Sequence, residues 1–169
     1  MGCHTDGRLL PHASVWDGMG WGWSDMSHQQ IYNGECFCGA VGFTARGAPV
    51  ASGYCHCESC RQWSAAPMNA CTLWRPESVT VTRGASCVGT FKRTSNSLRK
   101  WCTSCGGHLF TEHPRMGLID IYAAVLPQLQ FSPGVHVNYH ESVLRIPDGL
   151  PKFNDLPKEM GGSGVTLPE

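Results

Sequence analysis

Three thiols lie within six residues in Cys55-His56-Cys57-Glu58-Ser59-Cys60-Arg61, and no other stretch of the chain is as dense in chemistry. Two cysteine pairs flank it, Cys36-Phe37-Cys38 and Cys102-Thr103-Ser104-Cys105. A C-x-C or C-x-x-C turn presents two sulfurs on one side of a tight loop, and zinc binds thiolates in a tetrahedron. Two such turns brought together close a four-sulfur cage, so Cys36, Cys38, Cys102 and Cys105 are candidate ligands of a structural zinc ion. Glycines beside these knuckles suit the backbone angles that such turns need. The central triplet differs in kind. Cys55, Cys57 and Cys60 supply three sulfurs with no fourth cysteine nearby. Three protein ligands plus an exchangeable position is how catalytic zinc is held. The expectation is two zinc ions per chain, one structural and one catalytic.

His56 alternates away from Cys55 and Cys57, so it is not expected to be the fourth ligand. A distant histidine such as His108 could close the site instead. Three thiolates and a divalent zinc ion sum to minus one, so an anionic ligand there needs compensating charge. Arg61 follows the triplet directly, and Lys92, Arg93, Arg99 and Lys100 cluster ahead of the second outer pair. Those four read equally well as a solvated face. Cys3, Cys71 and Cys87 stand outside the clusters and read as free or buried thiols.

The elements that must position these residues read as strands. Ala40 to Ala45, Val50 to Tyr54, Met68 to Trp74 and Ser78 to Thr82 are short, apolar or β-branched runs separated by turn residues. Cys87 to Lys92, Ser97 to Trp101, Gly107 to Thr111 and Leu118 to Val125 continue the pattern. The stretch from Trp63 to Pro67 reads as irregular, and no segment carries a long helical stripe. Signals at roughly ten-residue spacing predict a mainly β domain with few short helices. After Leu126 the chain is rich in Pro and Gly and reads as extended coil wrapping the body.

Composition narrows the class. The chain has 169 residues, enough for one cored domain, with 20 Gly, 11 Pro and only 15% charged residues. Lys plus Arg and Asp plus Glu balance at 13 each, which argues against a nucleic-acid partner held by bulk charge. No apolar run approaches the ~18 residues that span a bilayer. No basic segment followed by an apolar core opens the chain, so a cytoplasmic protein with reduced, metal-bound thiols is expected rather than a secreted disulfide scaffold. Residues 1–30 form a Gly/Trp-rich arm around Trp16, Trp21 and Trp23, whose tryptophans should pack on the body, on a second subunit or over a pocket. Residues 158–169 read as a flexible tail. A homo-oligomer is left open.

The segments Gly34-Glu35-Cys36-Phe37-Cys38-Gly39-Ala40-Val41, Cys55 to Arg61, Arg99-Lys100-Trp101-Cys102-Thr103-Ser104-Cys105-Gly106 and Pro147-Asp148-Gly149-Leu150-Pro151-Lys152-Phe153 together resemble the glutathione-dependent formaldehyde-activating enzyme family, which includes S-(hydroxymethyl)glutathione synthases and centromere protein V. The resemblance covers residues 31–157. It implies a small zinc-stabilised β-fold shared with Rab-binding zinc chaperones. It implies structural zinc on the outer four cysteines and catalytic zinc on Cys55, Cys57 and Cys60. The implied activity is that of a carbon–sulfur lyase adding glutathione, or a similar thiol, reversibly to formaldehyde or another small carbonyl compound. The expected partner is therefore a small molecule, glutathione or a thiol adduct, with no nucleic acid and no membrane. Ala65 stands where family members often carry glycine, and Asn138 where an aromatic residue is common. Arg61, Trp63 and Ala65 are the candidate substrate contacts. The alternatives are a zinc enzyme of the same fold acting on a larger small molecule, and a non-catalytic zinc-binding module. An intact triplet argues against the module, which needs only the outer four cysteines.

Overall fold

The computed structural model describes residues 30–169. The arm with Trp16, Trp21 and Trp23, and Cys3 with it, lies outside the described residues. Two sheets and one α-helix follow in the order β1 Ile31–Glu35, β2 Gly42–Arg46, β3 Ala51–Cys55, α1 Glu58–Ser64, β4 Asn69–Trp74, β5 Val79–Arg83, β6 Val88–Thr94, β7 Ser97–Cys102, β8 His108–His113, β9 Leu118–Tyr122, β10 Val135–Val137, β11 Lys152–Phe153 and β12 Thr166–Leu167. The expected mainly β architecture is what the chain adopts. No helix among the described residues is long and apolar enough to cross a membrane.

A small antiparallel sheet of order β1-β2-β5 faces a nine-stranded sheet of order β12-β11-β10-β3-β4-β9-β8-β7-β6. The large sheet is antiparallel except where β10 runs parallel to both β3 and β11. Strand alternation puts Phe43 and Ala45 of β2 inward, where they meet Trp74, Phe110, Ile119 and Ile121 of the large sheet. The rings of Phe43 and Phe110 pack edge to face at 5.6 Å, and Tyr32 meets Trp74 at 5.9 Å. Gly34 lies opposite Phe43 in the β1–β2 pair, and any Cβ there would collide with the phenyl ring. Burying side chains of this size is what holds the two sheets together; truncating one of the buried aromatics would cost about 3–5 kcal/mol.

The opposite phase of the central strands makes the other face of the large sheet. Cys55 pairs with Asn69, Cys71 with Tyr122, Thr111 with Asp120, and Arg99 with Thr111. Period-two alternation therefore aligns Asn69, Cys71, Asp120, Tyr122, Thr111 and Arg99 on that face. Helix α1 packs over β4.

Three details differ from the sequence expectation. Residues Glu58–Ser64, expected to end in irregular chain, are helical. Seven residues are too few to show an apolar period, and the helix is fixed by its caps instead. The run Leu118 to Val125 leaves the sheet at Tyr122 and closes in a 3₁₀ turn, Ala123–Val125. The expected extended coil contains β10 and β11, of three and two residues, which are shorter than any readable alternation. Residues 158–169 carry a 3₁₀ turn at Lys158–Met160 and strand β12, which pairs with β11.

Candidate metal centre and its surroundings

The sulfurs of Cys36, Cys38, Cys102 and Cys105 lie within 4.8 Å of one another, and so do those of Cys55, Cys57 and Cys60. Each group can hold a metal ion. Two sulfur separations in the first group are 3.6 Å, from Cys36 to Cys38, and 3.9 Å, from Cys38 to Cys102. A tetrahedron with metal–sulfur bonds of ~2.3 Å has edges of about 3.8 Å, so these separations fit one ion. Cys36 and Cys38 sit in the turn between β1 and β2 of the small sheet. Cys102 ends β7, and Cys105 lies in the turn before β8 of the large sheet. An ion held by all four would tie the two sheets together. Backbone amides of Val41 and Gly107 donate to the sulfurs of Cys36 and Cys105 at 3.2 and 3.4 Å.

The triplet is built by a strand running into a helix cap. Cys55 ends β3, and alternation returns Cys57 to the same side. Cys57 then caps α1, its sulfur accepting from the Cys60 amide at 3.3 Å. An N-cap residue and the third helical residue after it meet at the first turn, which is why C-x-x-C brings two sulfurs together here. Glu141 accepts from the Glu58 amide at 2.6 Å and satisfies another free N–H of that turn. Hydrogen bonds from the Cys55 and Cys60 thiols, and then from the Cys60 amide and the nearby Arg99 charge, hold the Cys57 thiol far below its ordinary value against the effect of burial. The same sharing with Cys57 and Cys60, and then burial, raises Cys55. Three crowded thiols thus ionise together only when a cation offsets them.

Arg99 supplies buried positive charge beside this group. It is 4% exposed and donates to Ser59 Oγ at 2.9 Å. Its Nη2 lies 3.9 Å from Cys60 Sγ, and its guanidinium stands 5.4 Å from the Trp63 ring centroid. Of the four cations flagged in sequence, Lys92 and Arg93 are exposed, and Lys100 pairs with Glu112. Arg61 braces the loop instead, its Nε donating to the His56 carbonyl at 2.9 Å. Trp63 stacks on His108 at 4.5 Å and on Phe91 at 6.0 Å. His108 is not among the donors that gather around the three thiols. Ala65 is exposed and closes α1 in the left-handed conformation, φ 50°, its N–H returning to the Arg61 carbonyl. Asn138, also left-handed at φ 53°, donates its amide to Cys55 Sγ at 3.6 Å. His56 points away from the thiols and is fully buried, and burial with the nearby His136 and Arg61 lowers it to about 4.

Asp120 and Asn69 were not singled out in sequence. Both are buried, and Asp120 Oδ1, Asn69 Nδ2 and the Trp63 Nε1 have no partner. Burial pushes the Asp120 carboxyl up to about 7, with Arg99 opposing and Cys57 reinforcing. An acid in the middle of the apolar run Leu118-Ile119-Asp120-Ile121-Tyr122 was the available signal. Cys71 donates to the Gly53 carbonyl at 3.3 Å and is a free thiol, whereas Cys87 is buried in the core.

The sequence model of the family described as glutathione-dependent formaldehyde-activating enzyme matches residues 31–141. A protein of Schizosaccharomyces pombe named as an uncharacterised lyase is 32% identical over 79 residues, covering 47% of this chain and 56% of that protein. The chain thus spans about half the length of this curated relative. A crystal structure of a Rhodobacter sphaeroides protein superposes with a TM-score of 0.50 at 19% identity, over 58% of this chain and 90% of the other, and shares its fold. With the family match spanning both thiol clusters and every strand from β1 to β10, the chain belongs to the glutathione-dependent formaldehyde-activating enzyme family.

Proposed function

We propose that the protein is a zinc-dependent lyase-type enzyme that joins glutathione, or a similar thiol, to formaldehyde or another small carbonyl compound. The observation that carries this reading is the pair of unlike thiol groups: four sulfurs that complete a tetrahedron, and three that leave one position for an exchangeable ligand. Cys36, Cys38, Cys102 and Cys105 would hold a structural zinc ion, and Cys55, Cys57 and Cys60 a second. The second ion, when bound, would favour the ionised form of a thiol or polarise a carbonyl oxygen. In the addition, sulfur bonds to the carbonyl carbon, the C=O π pair moves to oxygen, and that oxygen takes the proton given up by the thiol.

The chain's own residues prepare this step. Arg99 offsets the net negative charge of three thiolates, in a buried setting where its field is weakly screened. Trp63 and His108 form an aromatic wall on α1 and β8. The addition proceeds without catalysis, so holding both reactants in place would contribute much of the acceleration. Exchange NMR of glutathione with formaldehyde tests the reading, comparing wild type, Cys57→Ala and buffer. Faster exchange with wild type alone is the expected outcome, and equal rates in all three would sink the assignment.

One observation favours a second reading, a larger carbonyl substrate. A hollow of about 310 Å³ between Glu35, Phe37, His108, Val125 and Pro127 borders the same His108 ring that stacks on Trp63. The same exchange measurement with larger aldehydes separates the two readings.

A further inference from the structure

A line of buried polar groups starts between two of the triplet's cysteines and runs to the far end of the large sheet. His56 Nε2 lies 2.8 Å from His136 Nδ1, and His136 Nε2 lies 2.9 Å from Asp148 Oδ2. Lys152 Nζ donates to Asp148 Oδ1 at 2.5 Å and to Glu169 Oε1 at 2.6 Å. The side chains of His56, His136 and Lys152 are each at most 1% exposed. Burying such groups is costly unless every one is paired, and apolar side chains would fill the space at lower cost. The Pro147 to Phe153 motif has no part in the thiol chemistry, yet Asp148 and Lys152 are its polar members.

The hydrogen-bond order fixes one hydrogen. A carboxylate paired with Lys152 can only accept, so His136 Nε2 carries a hydrogen and donates to Asp148. One hydrogen is shared between His56 Nε2 and His136 Nδ1, so each ring holds the other in place. The His56 backbone is held as firmly: its N–H donates to the Val137 carbonyl at 3.0 Å, and its carbonyl accepts from Arg61 Nε at 2.9 Å. Tyr139 meets the His56 ring edge to face at 4.9 Å. Residue 56 is therefore pinned on its amide, its carbonyl and its ring. Pinning the middle residue of C-x-C sets where both flanking sulfurs point.

We propose that His136 and Asp148 are positioning residues for the Cys55–Cys57–Cys60 metal site: through His56 they fix the C-x-C backbone and so raise the metal affinity of that site and not of the four-cysteine site. This rests on the reading of the triplet as a metal site and is independent of which reaction it serves. Groups that orient metal ligands through hydrogen bonds typically change affinity by about 10–100-fold when removed.

The test uses the full chain and zinc, with a chromophoric chelator competing for the metal. The four-cysteine site in the same molecule serves as the internal control. Wild type should release two equivalents in two separable steps. His136→Phe and Asp148→Asn should each weaken the looser step by about 10–100-fold and leave the tighter step unchanged. Cobalt substitution of the same variants should perturb one set of thiolate–metal bands and spare the other. Long-range ¹⁵N–¹H correlation spectra of the unaltered protein need no variant to fold. They should show a hydrogen on His136 Nε2, facing Asp148. Unchanged affinities, equal weakening of both sites, or a His136 Nε2 that carries no hydrogen would overturn the proposal. One equivalent in the wild type would overturn it together with the triplet as a metal site, whereas loss of glutathione–formaldehyde exchange alone would touch only the proposed reaction.

Discussion

The two thiol groups use the same donor atom and are built in opposite ways. The four-cysteine group draws two sulfurs from each sheet, with Cys36 and Cys102 buried in the core and amides of Val41 and Gly107 donating to sulfur. The triplet draws all its sulfurs from one short segment, a strand end and a helix cap on the outer face of the large sheet. Five buried polar side-chain atoms among the described residues lack a partner, and none lies in the four-cysteine knuckles. Four of the five, on His56, Trp63, Asn69 and Asp120, lie in the triplet loop, on α1 or on the strands beneath. The four-cysteine group leaves no buried side-chain nitrogen or oxygen without a partner. The triplet keeps the unsatisfied Trp63, Asn69 and Asp120 atoms and the Arg99 charge around it, and His56, behind it, keeps one more.

The sharpest way to break this contrast is to remove one sulfur from each group. Cys102→Ala should abolish the cooperative melt, because an ion joining the sheets would contribute on the order of 10 kcal/mol, comparable to the whole stability of a domain. Cys57→Ala should keep a cooperative melt, losing one metal equivalent and about 1 kcal/mol for the helix cap. Circular dichroism melts with metal analysis read both. A soluble, cooperatively folded Cys102→Ala protein would end the idea that the two groups divide the labour.

The same contrast explains what could be read from sequence. Both cysteine groups were legible because knuckle spacing is local. The strands Asn69–Trp74, Val79–Arg83 and Leu118–Tyr122 were legible because β-branched and apolar runs between turns leave few other choices. The surroundings of the triplet were not, because they are assembled by register. Arg99 and Lys100 are neighbours in sequence, but alternation sends Arg99 to Ser59 and Lys100 to Glu112. Asp120 reaches the site only because β9 pairs with β4 and β8. His136 and Asp148 lie 80 and 92 residues from His56, and β10, which carries His136, has three residues. Such short pairings leave no periodic trace.

Asp120 sharpens the contrast in energetic terms. Its folded carboxyl is raised to about 7, mainly by burial, from an ordinary value near 3.8. Between those values the folded chain holds a proton that the unfolded chain has lost. Stability therefore falls as pH rises from about 4 to about 7 and levels off above. Asp120→Asn removes the charged form. The variant should be more stable than wild type by up to about 4 kcal/mol at pH 8, and the gain should shrink steadily toward pH 5. Urea melts of both proteins at matched pH give the difference directly. A gain that is absent or flat with pH would mean that Arg99 keeps Asp120 ionised, and that the triplet's surroundings are no more strained than the four-cysteine group.

The smallest effect concerns Ala65, and it separates pocket from backbone. In sequence Ala65 reads as a candidate substrate contact standing where family members often carry glycine. In the structure Ala65 is exposed and left-handed at φ 50°, one residue past the end of α1. A side chain with a Cβ is strained there, and glycine is not. The glycine common in the family at this point thus has a sufficient reason in the helix cap. Ala65→Gly should raise stability by about 0.5–1 kcal/mol, since the relief of strain outweighs the entropy of the freer unfolded chain. Because α1 carries Cys60 and is capped by Cys57, a firmer C-terminal cap should also slow metal loss from the triplet slightly while leaving the four-cysteine group untouched. Thermal melts and chelator competition measure the two effects. A variant that changes exchange with larger aldehydes but not stability would return Ala65 to the pocket wall.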